Sequence, residues 1–169
     1  MRQQAVVQTW PAGAGPVGLD VADDASRLFV ADWYSNQLLV YELGAADPAA
    51  QITRIPVGRA PAGVAALPGG HTAVVAERDD DSVAVVDVAT KRVRARLRVG
   101  THPFALLHDA PRARLYVLNV QSDDVSVLDI GNLDQPRLLA TVKVGKAPYG
   151  AALAQGGTRL FVSNQHADT

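Results

Sequence analysis

The residues of this chain that could do chemistry are four histidines, His71, His102, His108 and His166, two acidic runs and one glycine-rich hexapeptide. None of the histidines sits in an H-E-x-x-H helix, and with no cysteine in the sequence a thiolate metal site, a disulfide and a Cys nucleophile are all excluded. Arg78-Asp79-Asp80-Asp81 and Ser122-Asp123-Asp124 offer oxygen ligands, but without the EF-hand or nonapeptide spacing that calcium requires. Aspartates so placed usually accept hydrogen bonds from turn N–H groups, and that structural role is the one expected here. Gly13-Ala14-Gly15-Pro16-Val17-Gly18 satisfies G-x-G-x-x-G, yet a dinucleotide needs a helix N-terminus after it, and Leu19-Asp20-Val21 reads as a strand. A G-x-S-x-G elbow is absent as well. No catalytic residue, metal or cofactor is therefore expected.

What positions these residues is a repeat. Pro16, Pro61, Pro103 and Pro148 are spaced 45, 42 and 45 residues apart, and the sequence after each matches column by column. Two positions on stand Gly18, Gly63, Ala105 and Gly150, and fourteen positions on stand Val30, Val75, Val117 and Val162. Sixteen positions on come Asp32, Glu77, Asn119 and Asn164. A Val-Gly pair precedes the last three prolines, as Val57-Gly58, Val99-Gly100 and Val144-Gly145, and becomes Ala12-Gly13 before the first.

Short β-branched runs alternate with turns such as Pro68-Gly69-Gly70, and no stretch holds a helical period. Each copy thus predicts four strands, here named a to d from the proline onward. In the second copy they are expected at Gly63 to Leu67, Thr72 to Ala76, Ser82 to Val88 and Val93 to Val99. A four-stranded unit of about 40–45 residues is the mark of a β-propeller blade, because one such sheet cannot bury both faces until neighbours stack on it. The fold class expected is all-β, with three complete blades of four antiparallel strands plus two partial ones. Residues 1–13 would supply the outer strand of a preceding blade through Ala5 to Trp10. Residues 14–58, 59–100 and 101–145 form blades, and 146–169 a shortened one that stops at a b–c turn from Gln165 to Thr169. Val-Gly is expected to give the chain the backbone freedom to cross from an outer strand to the next inner one. Proline suits the first position of that inner strand because it has no N–H to leave unpaired. The longer c–d connections at residues 44–48 and 131–136 should lengthen only a rim loop.

Leu115-Tyr116-Val117-Leu118-Asn119, Arg159-Leu160-Phe161-Val162-Ser163-Asn164 and Val125-Ser126-Val127-Leu128-Asp129 resemble the YVTN β-propeller repeat over nearly the whole chain. Ala31-Asp32 and Ala76-Glu77 depart from its small residue plus Asn. The resemblance implies surface-layer-like proteins and relatives of amine dehydrogenase heavy chains, commonly seven-bladed, bacterial and exported to the periplasm or cell surface. On that basis the chain is expected to be a fragment of a larger ring, and its last strand to recruit other chains if the polypeptide stops at Thr169.

Composition narrows the function. At 48% hydrophobic and 20% charged the chain can bury a core, and 16 basic against 17 acidic residues leave no stripe for a phosphate backbone, so nucleic acid is not an expected partner. The first residues lack the apolar core of a signal peptide, and no run approaches the roughly 18 apolar residues of a membrane span. What remains is a face built from d–a crossovers and b–c turns. Trp33, Tyr34, Arg78, Asp79, Gln121 and His166 come to it from the turns; Arg59, Thr101, His102, Phe104, Lys146 and Tyr149 come from the crossovers. Aromatic and arginine side chains are the usual anchors of binding surfaces, so a protein or small-molecule ligand is expected there. Phe104 and Tyr149 have an equally good alternative role as plugs of the axial end of the core. His71 and His108 map to the other end of the blades as surface or edge residues. A non-catalytic scaffold is the leading expectation, with a redox-system propeller or a lactonase-like hydrolase as the alternatives.

Overall fold

The computed structural model describes residues 5–166. Its strands are β1 (Pro16–Val21), β2 (Arg27–Asp32), β3 (Gln37–Glu42), β4 (Thr53–Pro56), β5 (Pro61–Ala66), β6 (Thr72–Glu77), β7 (Ser82–Asp87), β8 (Arg92–Arg98), β9 (Pro103–Asp109), β10 (Arg114–Asn119), β11 (Asp124–Asp129), β12 (Arg137–Lys143), β13 (Pro148–Ala154) and β14 (Arg159–Asn164). They form three four-stranded meanders, β1–β4, β5–β8 and β9–β12, and one two-stranded sheet, β13–β14, each antiparallel throughout. We call these blades 1 to 4. Helix is limited to 3₁₀ turns of three or four residues, and no helix of the described residues is long and apolar enough to cross a membrane.

The strands follow from the repeat with shifts of one or two residues. Every repeat proline is the first residue of an inner strand, and in all four sheets the a–b register slips immediately after it. A residue without an N–H interrupts the ladder at least cost where pairing is already irregular. Two positions later, glycine lets adjacent inner strands touch. A Cβ on Gly18 would lie 2.1 Å from the Ala62 carbonyl oxygen, and one on Gly63 would lie 2.3 Å from that of Phe104.

The core lies between blades rather than within one. Val75 joins Phe29, Leu38 and Val40 at the seam of blades 1 and 2, while its neighbour Val74 points the other way, to Leu115 and Val117 at the seam of blades 2 and 3. Tyr116, Leu118 and Val125 meet Leu160 and Val162 of blade 4 at a third seam. Period-two alternation therefore feeds two cores at once, which is why strands b and c are apolar along their whole length.

Two expectations need correction. Ala5 to Trp10 is not a strand: it carries no ladder, because the described residues contain no c-type strand beside it. Instead Trp10 stacks on Tyr41 with ring centroids 5.9 Å apart, and the Tyr41 hydroxyl donates to the Pro11 carbonyl. At the far end β14 forms as expected, but Ala167–Thr169 of the anticipated b–c turn lie outside the described residues, as do Met1–Gln4 of the opening segment. The second correction concerns Val-Gly. Gly13 of the first copy takes the left-handed conformation, as expected, at φ 87°, but Gly58, Gly100 and Gly145 do not; before the last three prolines the residues that turn the chain through positive φ are Ala60, His102 and Ala147.

Candidate functional site

Crossovers and b–c turns meet at one end of the blades, where backbone groups bond in a repeated pattern. In blades 2 to 4 the first two N–H groups of the turn donate to the crossover that enters the same blade: Arg78 to Ala60 and Asp79 to Arg59, both 3.3 Å, Val120 to His102 and Gln121 to Thr101, 3.0 and 3.2 Å, Gln165 to Ala147 and His166 to Lys146, 2.9 and 3.2 Å; in blade 1 Trp33 donates to Gly15 at 2.8 Å. The turn's last residue binds the crossover that leaves. Asn36, Asp81 and Asp123 accept through their side chains from the N–H of Ala60, His102 and Ala147 at 3.0, 3.0 and 2.9 Å. Both members of each pair have φ between 49° and 56°. Asn and Asp tolerate that left-handed conformation, and their short acceptors are what the exposed donors need. The acidic runs are accordingly structural. Asp79, Asp80 and Asp81 diverge to Arg78, Arg59 and the His102 backbone respectively, and no cluster of metal-ligating side chains occurs among the described residues.

Beneath this layer lies the column sixteen residues after each proline. Asp32 accepts from the N–H groups of Ala14 and Gly15. Glu77, wholly buried, accepts from the Gly58 N–H at 2.6 Å, the Ser82 hydroxyl at 2.7 Å and Arg96 Nε at 3.0 Å. Asn119 donates to Asp124 and Ser126 instead, with Lys143 completing the group 3.1 Å from Asp124. These side chains explain the Val-Gly column better than backbone freedom does, since a Cβ on Gly100 would stand 2.4 to 2.6 Å from Ser122, Asn119 and Asp124. Gly100→Ala is expected to lose roughly 1–3 kcal/mol of stability by overpacking, read as a lower urea midpoint at unchanged slope.

On that framework the side chains proposed as anchors fall into two groups. Around blades 1 and 2, the Arg78 guanidinium lies 5.4 Å from the centre of the Trp33 ring and pairs with Asp79 at 2.7 Å. Arg59 pairs with Asp80 at 2.7 Å and donates to the Asp79 carbonyl at 2.6 Å. Partial burial works against the Asp80 carboxylate, but the hydrogen bonds from Arg59 backbone and side chain outweigh it and hold its pKa below the ordinary aspartate value. Tyr34 is exposed, with its ring against Gly15. Around blades 3 and 4, Phe104 and Tyr149 stack with centroids 4.8 Å apart; Phe104 is half-buried and Tyr149 exposed. His102 acts through its backbone as a link between turns, and Gln121 and His166 are exposed residues placed by their N–H groups.

The ion pair of Arg96 with Glu77 was not anticipated from the sequence, although the alternation Arg92-Val93-Arg94-Ala95-Arg96 signals arginines at every second strand position. His71 is exposed, as expected, with Nδ1 3.2 Å from Arg27. His108 lies on the edge strand β9, within the expectation, and is half-buried in a groove with Leu67, Ile130 and Leu133, where desolvation pushes its pKa down against the opposing pull of Asp109 and Asp20.

No family model matches the chain, and no curated protein does. Solved structures do. Hydrazine synthase of Kuenenia stuttgartiensis superposes with a TM-score of 0.78 at 19% identity over 99% of this chain and 46% of its own. A functionally unknown protein from Desulfotomaculum acetoxidans gives 0.71 at 15% identity, over 88% of this chain and 49% of its own. A candidate 6-phosphogluconolactonase from Bacteroides uniformis gives 0.74 at 12%, over 89% and 47%. With the meander sheets and between-sheet cores already described, these likenesses decide the architecture. The chain is an array of β-propeller blades. It spans just under half the length of each of these solved chains. In propeller terms, the bonded layer of turns and crossovers is one axial face, and the groove holding His108 opens at the other.

Proposed function

We propose that this chain is a non-catalytic propeller scaffold of the YVTN type, which presents the axial face of b–c turns and d–a crossovers to a protein or small-molecule partner. The observation that carries this reading is how the face spends its polar groups. Its carboxylates and arginines are engaged in turn bonds and ion pairs, while exposed Tyr34 and Tyr149 and the Trp33–Arg78 pair stand on or beside turns that in blades 1 to 3 are held at both ends. Rigid aromatic and arginine anchors bind with little ordering cost. A bacterial, extracytoplasmic setting goes with the YVTN resemblance. A propeller of a redox system and a lactonase-like hydrolase are the enzymatic alternatives, and likenesses of 19% and 12% identity to hydrazine synthase and a candidate lactonase speak for fold alone.

Affinity capture from a periplasmic extract tests the proposal, followed by binding measurements on the captured partner. Tyr34→Ala/Tyr149→Ala is expected to weaken binding tenfold or more, about 1.4 kcal/mol, while Arg92→Ala at the rim leaves it unchanged. Hydrolysis of a sugar lactone, or electron transfer to an acceptor dye, by the purified chain would overturn the non-catalytic reading.

A further inference from the structure

Strands b and c meet in a pair of opposite charge at the end of the blade away from the b–c turn, and one blade breaks the pattern. Eleven residues after each proline stand Arg27, Thr72, Arg114 and Arg159, so three of the four copies place arginine there. Arg27 faces Glu42 across the ladder of blade 1, and Arg114 faces Asp129 in blade 3. Blade 2 keeps the acid, Asp87, but opposes it with Thr72. Arg27 shows what the position does when arginine fills it. Its Nε donates to Glu42 at 2.7 Å, while Nη1 crosses the seam into blade 2, donating to the Gly70 carbonyl at 2.9 Å and lying 3.2 Å from His71 Nδ1. Its side chain is only 20% exposed.

One seam further on, between blades 2 and 3, the threonine goes with a groove of about 260 Å³. Both sheets that form it have all four strands. Leu67, Ile130 and Leu133 are its apolar walls, and Thr72 and His108 are its polar ones. Asp87 stands beside Thr72 on the same face, about 5 Å away between Cβ atoms as cross-strand neighbours are. It accepts through Oδ1 from the Thr90 N–H and hydroxyl at 2.7 and 2.8 Å, and its Oδ2 has no hydrogen-bond partner among the described residues. The Thr72 hydroxyl and the His108 ring have none there either. Desolvation, opposed by Asp109 and Asp20, keeps the imidazole neutral at pH 7, which leaves one ring nitrogen as an acceptor. The arginines nearby are already paired, Arg94 with Asp134 and Arg112 with Asp109.

We infer that this groove binds a small alkylguanidinium, its cation on Asp87, Thr72 and His108 and its stem against Leu67, Ile130 and Leu133, in the part that Arg27 plays one seam earlier. The occupant follows from the acceptors. An anion would meet the Asp87 carboxylate, and a fully hydrated ion would meet apolar walls. A guanidinium carries several N–H donors in one plane and is weakly hydrated, so it can serve a carboxylate and a ring nitrogen together while its stem stays on aliphatic surface. Arg27 does this with Glu42 and His71 within the same repeat. The groove lies at the axial end opposite the turns and crossovers of the proposed function, so either reading can fail without the other.

Butylguanidinium is the probe, titrated into the full chain and followed by the backbone amide resonances of Thr72, Asp87 and His108. Saturable shifts are expected at these residues, and butylurea, a neutral molecule of the same shape, is expected to bind about tenfold more weakly or worse, since it lacks the charge-assisted bonds. Thr72→Arg restores the column and is expected to abolish binding, its own guanidinium taking the groove. Asp87→Asn keeps an acceptor for Thr90 and is expected to raise the dissociation constant about tenfold or more, which tests the site even if Thr72→Arg does not fold. Wild-type resonances that do not shift, equal affinity for butylurea, a folded Thr72→Arg chain that binds like wild type, or unchanged binding by Asp87→Asn each overturns the inference.

Discussion

A chain carrying Val75→Asp is expected to lose cooperative folding of the blades that meet at that residue, and Val117→Asp to do the same one seam further on. Val75 is fully buried among Phe29, Leu38 and Val40, and Val117 among Val74, Val85 and Leu115, opposite Ser126, whose hydroxyl already accepts from Asn119. An unpaired buried charge costs several kcal/mol even after relaxation, against a typical domain stability of about 5–15 kcal/mol. Circular dichroism melting and urea titration should therefore show a broad, early transition in place of a single cooperative one. Phe161→Asp, at an exposed position of the same repeat, is the control and should melt like wild type. A Val75→Asp chain melting within a degree or two of wild type would show that the inter-blade seams are not the source of stability.

The second large effect is expected at Glu77. Its carboxylate is the sole acceptor shown for the Gly58 N–H and for the Ser82 hydroxyl, and it faces Arg96, whose side chain is about half exposed. Glu77→Ala leaves those two donors buried without an acceptor, and each such loss costs about 1–3 kcal/mol. We expect a total near 2–4 kcal/mol on that scale, with the arginine adding little because solvent screens it. Glu77→Gln keeps an acceptor for Gly58 and should recover most of the loss. Urea unfolding of the pair decides the matter: equal destabilisation by Ala and Gln would mean that the charge and not the hydrogen bonds holds the crossover.

Strand positions were legible in the sequence because a repeat writes each strand several times, so that Val30, Val75, Val117 and Val162 identify strand b together where one copy alone would be ambiguous. The prolines were legible for a local reason, as a residue without a donor belongs at the irregular start of an inner strand. The aspartates of the b–c turns were correctly expected to serve backbone donors. Their partners were not foreseen, since Asp81 and Asp123 reach across to a crossover 21 and 24 residues away in sequence. Ala5 to Trp10 was misread because apolar β-formers at the right offset from a proline look the same whether or not a ladder partner exists.

By itself the sequence determined the blade as a unit, its four strands, its alternating faces and the residues of its turns, all of which depend on spacing and on the conformational preferences of single residues. Only the tertiary structure decided that the glycine of Val-Gly is needed for the buried polar side chain beneath it, that Phe104 lies on Tyr149, and that Arg78 covers Trp33. It also decided which copies of a column are core and which are surface. Phe29 and Phe161 have the same side chain at the same repeat position, one buried and one open, and no local rule separates them. The physical reason is that burial belongs to a pair of blades: the hydrophobic effect acts on area removed from water, and that area depends on what stands opposite.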